Sequence, residues 1–170
     1  VLVYGASGAV GTLALQFAKY RHARVLATGT GRPAAALLKR LGADAVIDAR
    51  DKSAVEQVRD FAPNGIDAAL VLAAGDSREA LLQLVRKGGR VAYPNGVEPT
   101  PQKLRSYQLI SYDAASGRSQ FRRLTQVATD ANLTVPIAAV YPLAQAAKAH
   151  ERLAQGHILG RIVLRIRPGS

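Results

Sequence analysis

Apolar residues fall into short continuous runs, separated by longer segments in which they recur at helical spacing. The runs at 1–4, 24–28, 45–48, 68–73 and 90–93 read as strands apolar enough to be buried on both faces. Between them, 10–20 carries Val10, Leu13, Leu15, Phe17 and Ala18 on a helical repeat. The segment 33–41 opens on Pro33 and closes at Gly42, the usual signals for a helix start and stop. Two more helices are predicted, at 53–61 ending in Pro63-Asn64-Gly65 and at 77–85 stopping at Gly88-Gly89. Strands alternating with helices over short connections predict an α/β fold: a doubly wound parallel sheet of about six strands with helices on both faces. The stretch 94–108 is rich in proline and polar residues and reads as a loop. A sixth strand is predicted at 109–112, on the sheet edge. Helices follow at 121–131 and, after Pro142, at 143–154; a strand at 162–166 and an Arg167-Pro168-Gly169-Ser170 tail complete the chain.

Composition narrows this picture. The chain has 170 residues, 48% hydrophobic and only 5% aromatic, which suits one domain with an aliphatic core. No apolar run approaches a membrane span and no signal-peptide layout is present, so no membrane partner is expected. Cysteine is absent, excluding disulfides, thiolate chemistry and cysteine-ligated zinc within these residues, and a cytoplasmic setting is expected. The formal charge of +11 favours anionic ligands. Its basic residues are scattered in short groups without interleaved aromatics, which reads as a solvated surface with no nucleic-acid partner. The sequence opens inside a core strand without an initiator methionine, as expected of a piece of a longer protein.

The turn Gly5-Ala6-Ser7-Gly8-Ala9-Val10-Gly11 carries the candidate chemistry. A strand that runs through glycines into a helix presents unpaired amides and the positive end of the helix dipole to an anion. Gly5 lets the chain leave the strand sharply, Gly8 lets a diphosphate approach the backbone, and Gly11 lets the helix pack close to the sheet. Ser7, Gly8, Ala9 and Val10 are therefore candidate contacts for a dinucleotide diphosphate, with the alternative of a ligand-free tight turn. An NAD site commonly has Asp or Glu at the end of the second strand. Here the segment is Thr28-Gly29-Thr30-Gly31-Arg32, without a carboxylate. Gly29, Thr30 and Arg32 are assigned to the adenosine end, with Arg32 placed to pair with a 2′-phosphate. NADPH is thus favoured over NADH. The loops after strands four and five, Ala73-Ala74-Gly75 and Asn95-Gly96-Val97, are expected to flank the nicotinamide, since ligands of open α/β sheets lie beyond the strands' carboxyl ends.

Several motifs in order resemble the medium-chain dehydrogenase/reductase superfamily in its zinc-independent quinone oxidoreductase branch. They are the glycine turn followed by Thr12-Leu13-Ala14-Leu15-Gln16, the run Leu41-Gly42-Ala43-Asp44-Ala45-Val46-Ile47-Asp48, and Gly88-Gly89-Arg90-Val91. Tyr141-Pro142-Leu143 with Ala149-His150-Glu151, and the closing Gly160-Arg161-Ile162-Val163-Leu164, continue the series. The resemblance implies that residues 1–170 are a dinucleotide-binding (Rossmann) domain. It also implies an absent N-terminal GroES-like catalytic domain, against which 137–170 would normally pack. Reduction of quinones, enones or related activated alkenes is implied, as is a homodimer through the edge strand from Leu109 to Tyr112. Three positions depart from the pattern. His22 stands where glycine usually closes the first helix, Ala49 replaces a tyrosine expected near the adenosine, and Arg161 replaces a lysine.

No catalytic residue is identified. His150 and His157 lack metal-ligand spacing, no tyrosine is followed by a lysine four residues on, and Gly11-Thr12 lacks the lysine of a phosphate-loop NTPase. Two other readings stay open: a non-catalytic nucleotide-binding, sensor or synthase-associated module, and the cofactor domain of a zinc-dependent alcohol dehydrogenase.

Overall fold

The computed structural model describes residues 1–166, so the predicted tail at 167–170 lies outside the described residues. Six parallel strands form the main sheet in the order β3-β2-β1-β4-β5-β6. These are β1 (Leu2–Tyr4), β2 (Leu26–Thr28), β3 (Ala45–Ile47), β4 (Ile66–Val71), β5 (Val85–Pro94) and β6 (Tyr107–Tyr112). Crossovers run through α1 (Gly11–Tyr20), α2 (Gly31–Arg40), α3 (Ala54–Phe61) and α4 (Arg78–Leu82). The chain builds outward from β1 to β3, then returns to lay β4 on the other side of β1. That reversal opens a crevice at the carboxyl ends of β1 and β4, the ligand position in sheets of this kind.

The strand pleat divides the core. Leu2 and Tyr4 face one way and Val3 the other, as successive strand residues must. On the first face, Leu2, Leu26, Ile47, Val71 and Val91 pack with Ala54 and Val58 of α3 and Leu81 and Leu82 of α4. On the second, Val3, Val25 and Ala27 pack with Leu15 of α1 and Leu37 and Leu38 of α2. Full burial of each such leucine contributes roughly 1.5–3 kcal/mol. Helices thus cover both faces, and the doubly wound prediction stands.

Element boundaries correct the sequence reading in places. The fourth strand, expected at 68–73, starts and ends two residues earlier. Asp67 is accommodated at its start because its carboxylate meets Arg86 Nε at 2.6 Å. The helix expected at 77–85 stops at Leu82, because the carbonyl of Leu84 already accepts the Ile66 amide (2.9 Å) and Val85 pairs with Ile66. Gly88-Gly89 therefore lies inside β5, at a register shift, and does not end a helix. The first helix does end where expected: His22 sits at φ +59°, the left-handed conformation anticipated for it. A second, two-stranded parallel sheet pairs β7 (Ile137–Pro142) with β8 (Arg161–Arg165). The sequence reading identified only the latter as a strand, at 162–166. α5 (Arg118–Asp130) precedes this sheet, and α6 (Ala146–Ala154) links its strands after a single 3-10 turn at Leu143–Gln145.

The turn glycines are not equivalent. A Cβ on Gly11 would overlap the Gly5 carbonyl and stand 2.6 Å from Ala6 Cα. A Cβ on Gly8 would meet nothing nearer than the Gly5 carbonyl oxygen at 3.6 Å. Gly11→Ala should therefore cost about 1–3 kcal/mol by overpacking. Gly8→Ala should change stability by no more than about 0.5 kcal/mol. Urea denaturation of both variants checks this, and equal stability losses would contradict it.

Candidate functional site

β1 ends at Tyr4 and the chain turns at once, with Gly5 at φ +82°. The Gly5 amide donates to Thr28 Oγ1 (2.8 Å), which ties the turn to the end of β2. The Gly8 amide donates to the Gly5 carbonyl (3.3 Å) and the Thr12 amide to the Gly8 carbonyl (3.0 Å), so the turn winds directly into α1. The first turn of α1 carries no acidic residue and no side-chain cap, leaving its positive end open to an anion.

A cleft of about 910 Å³ opens above this turn. Its floor is Tyr4, Gly5, Ser7 and Gly8. Thr28, Gly29, Thr30, Asp48 and Arg50 form one end, Leu72 to Ser77 the other, and His157 to Leu159 a third wall. The structure brings together seven of the sequence-derived candidates here: Ser7, Gly8, Gly29, Thr30, Ala73, Ala74 and Gly75. The remaining six do not line the cleft. Ala9 offers its carbonyl to Arg161 (3.5 Å), and Val10 is 55% exposed. Arg32 is exposed in the first turn of α2. Asn95 donates from Nδ2 to Asp113 (2.7 Å), Gly96 is exposed at φ +91°, and Val97 packs against the core.

Asp48 and Arg50 escaped the sequence reading, which sought an acid only after strand two. The signal was β3 itself: Thr28 pairs with Ile47, so the next residue stands beside Gly29, whose amide donates to the Ile47 carbonyl (3.0 Å). Arg50 grips the Asp48 carboxylate through Nε and a terminal nitrogen, both at 3.2 Å. That grip holds the Asp48 carboxyl below the usual carboxylate range, so the pair is ionised at neutral pH. Tyr4, 5% exposed, was missed as a lining residue; burial pushes its phenol up, against the opposing effects of Ser77 and Arg78. His157 reaches the cleft because Gly160 docks on the turn, its amide donating to the Ser7 carbonyl (3.0 Å). Gln16 closes the same junction: its Nε2 donates to the Thr134 carbonyl and its Oε1 accepts the Thr134 amide, both at 2.8 Å. These contacts span more than 100 residues and leave no local pattern to read.

A cleft over a glycine turn at the sheet's reversal point suits a dinucleotide, and comparison with known proteins agrees. Residues 41–164 match the family described as zinc-binding dehydrogenase. The chain belongs to that family. Mouse quinone oxidoreductase is 27% identical over 169 residues, covering 92% of this chain and 51% of the mouse protein. The solved structure of an NAD-dependent alcohol dehydrogenase superposes with a TM-score of 0.85 at 26% identity, covering 98% of this chain and 50% of that one. A mycobacterial protein solved with NADPH gives 0.75 at 25% identity, covering 97% and 56%. The chain therefore spans about half the length of these relatives, as a C-terminal cofactor-binding domain of the medium-chain dehydrogenase/reductase fold.

Zinc fits this domain poorly. No group of three or more His, Asp or Glu side chains stands together among the described residues, and the chain has no cysteine. No described helix is long and apolar enough to cross a membrane.

Proposed function

We propose that this chain is the NADPH-binding domain of an oxidoreductase that delivers hydride, without zinc, to quinones, enones or related activated alkenes. The observation that carries the reading is the uncapped helix end above Gly8, whose missing side chain leaves room for a diphosphate at the cleft floor. The likeness to mouse quinone oxidoreductase supports the substrate class. Bound at this site, the reduced nicotinamide supplies the hydride. The chain's own residues do the rest. The amides of the turn, with Ser7, Gly8, Ala9 and Val10, neutralise the diphosphate. Gly29 and Thr30 seat the adenosine ribose, with Arg32 and Arg50 as cations for a 2′-phosphate. Ala73, Ala74 and Gly75 leave a flat wall for the nicotinamide, and Asn95, Gly96 and Val97 form the next loop outward.

The same reading extends to a longer protein. Val135, Ile137, Val140 and Leu143 are each at least 44% exposed, an apolar face on and beside β7 suited to an N-terminal catalytic domain. β6 ends the main sheet with one edge unpaired among the described residues, which supports a homodimer through Leu109 to Tyr112.

One observation favours NADH as a second reading: the Asp48 carboxylate faces the adenosine end, where an acid suits ribose hydroxyls and repels a 2′-phosphate. Calorimetry with both dinucleotides decides. Tighter NADPH binding is expected, and tighter NADH binding would overturn the assignment. Gly8→Ala should weaken both by at least about tenfold, since its methyl group stands where the diphosphate would lie.

Arg50→Ala should weaken NADPH about tenfold and leave NADH nearly unchanged. Arg32→Ala should act in the same direction with a smaller effect, because Arg32 stands outside the cleft lining. Asp48→Asn should shift preference further toward NADPH. Loss of both dinucleotides alike in Arg50→Ala would remove Arg50 from the selectivity site.

A further inference from the structure

One guanidinium lies out of reach of water beside the nicotinamide end of the cleft. Arg78, the first residue of α4, is 3% exposed. Its Nε donates to Glu79 Oε1 at 2.8 Å, and a terminal nitrogen meets the same oxygen at 2.7 Å. That same terminal nitrogen also donates to the Thr100 carbonyl (3.4 Å), and the other terminal nitrogen donates to the Pro99 carbonyl (2.8 Å). Glu79 turns its second oxygen to the Gln102 amide (3.2 Å), and the Tyr107 hydroxyl donates to the Gln102 carbonyl. A buried charge is costly unless its donors are met, and this one is met by the neighbouring Glu79 carboxylate and by carbonyls 21 and 22 residues further along.

These bonds have a geometric consequence. The crossover from β5 to β6 contains no helix, and its middle, Pro99 to Gln102, is held through the Arg78–Glu79 pair. The Arg78–Glu79 pair ties this crossover to the start of α4. Gly75, Asp76 and Ser77 come immediately before Arg78 and form the cleft wall beyond β4. A Cβ on Gly75 would collide with the Tyr4 hydroxyl, so this wall already lies hard against the cleft floor. Arg78 stands directly behind the wall, its amide donating to the Gly75 carbonyl (3.1 Å).

We propose that Arg78, together with Glu79, is a positioning pair that sets the wall Gly75-Asp76-Ser77 for the nicotinamide half of the dinucleotide. This rests on the cofactor reading above. A purely stabilising role would affect every ligand of the cleft alike; a positioning role affects only ligands that reach this wall. The test compares NADPH with 2′-phospho-ADP-ribose, which keeps the adenosine, 2′-phosphate and diphosphate but lacks nicotinamide.

Arg78→Met, which keeps apolar bulk but removes every donor, should weaken NADPH about tenfold while 2′-phospho-ADP-ribose stays within about twofold. Glu79→Gln should show the same asymmetry at smaller size. Its side chain is 32% exposed, so it carries the comparison if Arg78→Met does not fold. Equal weakening of the two probes, or no weakening of either, overturns the proposal. If the unaltered protein binds neither probe, the dinucleotide reading falls and this inference with it. Tight binding by the unaltered protein with equal losses in the variants overturns this inference alone.

Discussion

The contact between the start of α1 and the turn that precedes it governs the rest of the molecule. Gly11 lies against the backbone of Gly5 and Ala6 with no space for a methyl group. Only this approach aims the helix's uncapped end at the carboxyl edge of β1, where the sheet reverses direction. The contact then propagates. Thr28 fastens the turn to β2 through the Gly5 amide, and Gly160 fastens the second sheet to it through the Ser7 carbonyl. Gly160 sits at φ +93° with its missing Cβ against Pro136, so the docking segment is as intolerant of a side chain as the turn it meets. Two walls of the cleft are thereby referenced to one short segment.

Much of the fold was legible because its signals are local. The aliphatic runs of β1 to β4 and the helical repeats of α1 to α3 mark elements whose burial follows from their own sequence. Gly42 at φ +98° and His22 at φ +59° end helices where the residues suggest. Misreading concentrated where a partner elsewhere in the chain overrides local pattern. Leu84 and Val85 continue a helical repeat, yet the Leu84 carbonyl accepts the Ile66 amide and Val85 pairs with Ile66 at the start of β5. β7 went unread because it pairs with β8, some twenty residues on, in a sheet separate from the main one.

The candidate site divides in the same way. The glycine turn, Gly29-Thr30 and Ala73-Ala74-Gly75 were legible because each follows a recognisable strand, and strand ends meet at one edge of a parallel sheet. Asp48 and Arg50 required knowing that β3 lies beside β2, which is topology and not composition. Arg78 shows the limit most clearly: in sequence it is one charged residue opening a short helix, and only the fold reveals it as buried. The basic surplus has a comparable ambiguity. It spreads over the surface, but Arg50 brings part of it to the end of the cleft beside β2 and β3, where it is matched by Asp48.

The central claim is that the Gly5–Gly11 turn receives the diphosphate, with the two halves of the ligand running outward along the strand ends. Amide-resolved NMR titration of the protein with NADPH tests this most directly. The largest shifts are expected in the amides from Ser7 to Thr12, with further shifts in Gly29, Thr30 and Ala73 to Ser77, all at the carboxyl edge of the sheet. Absence of shifts in the turn, or shifts concentrated at the opposite edge around Arg24 and Asn64 to Asp67, would contradict it.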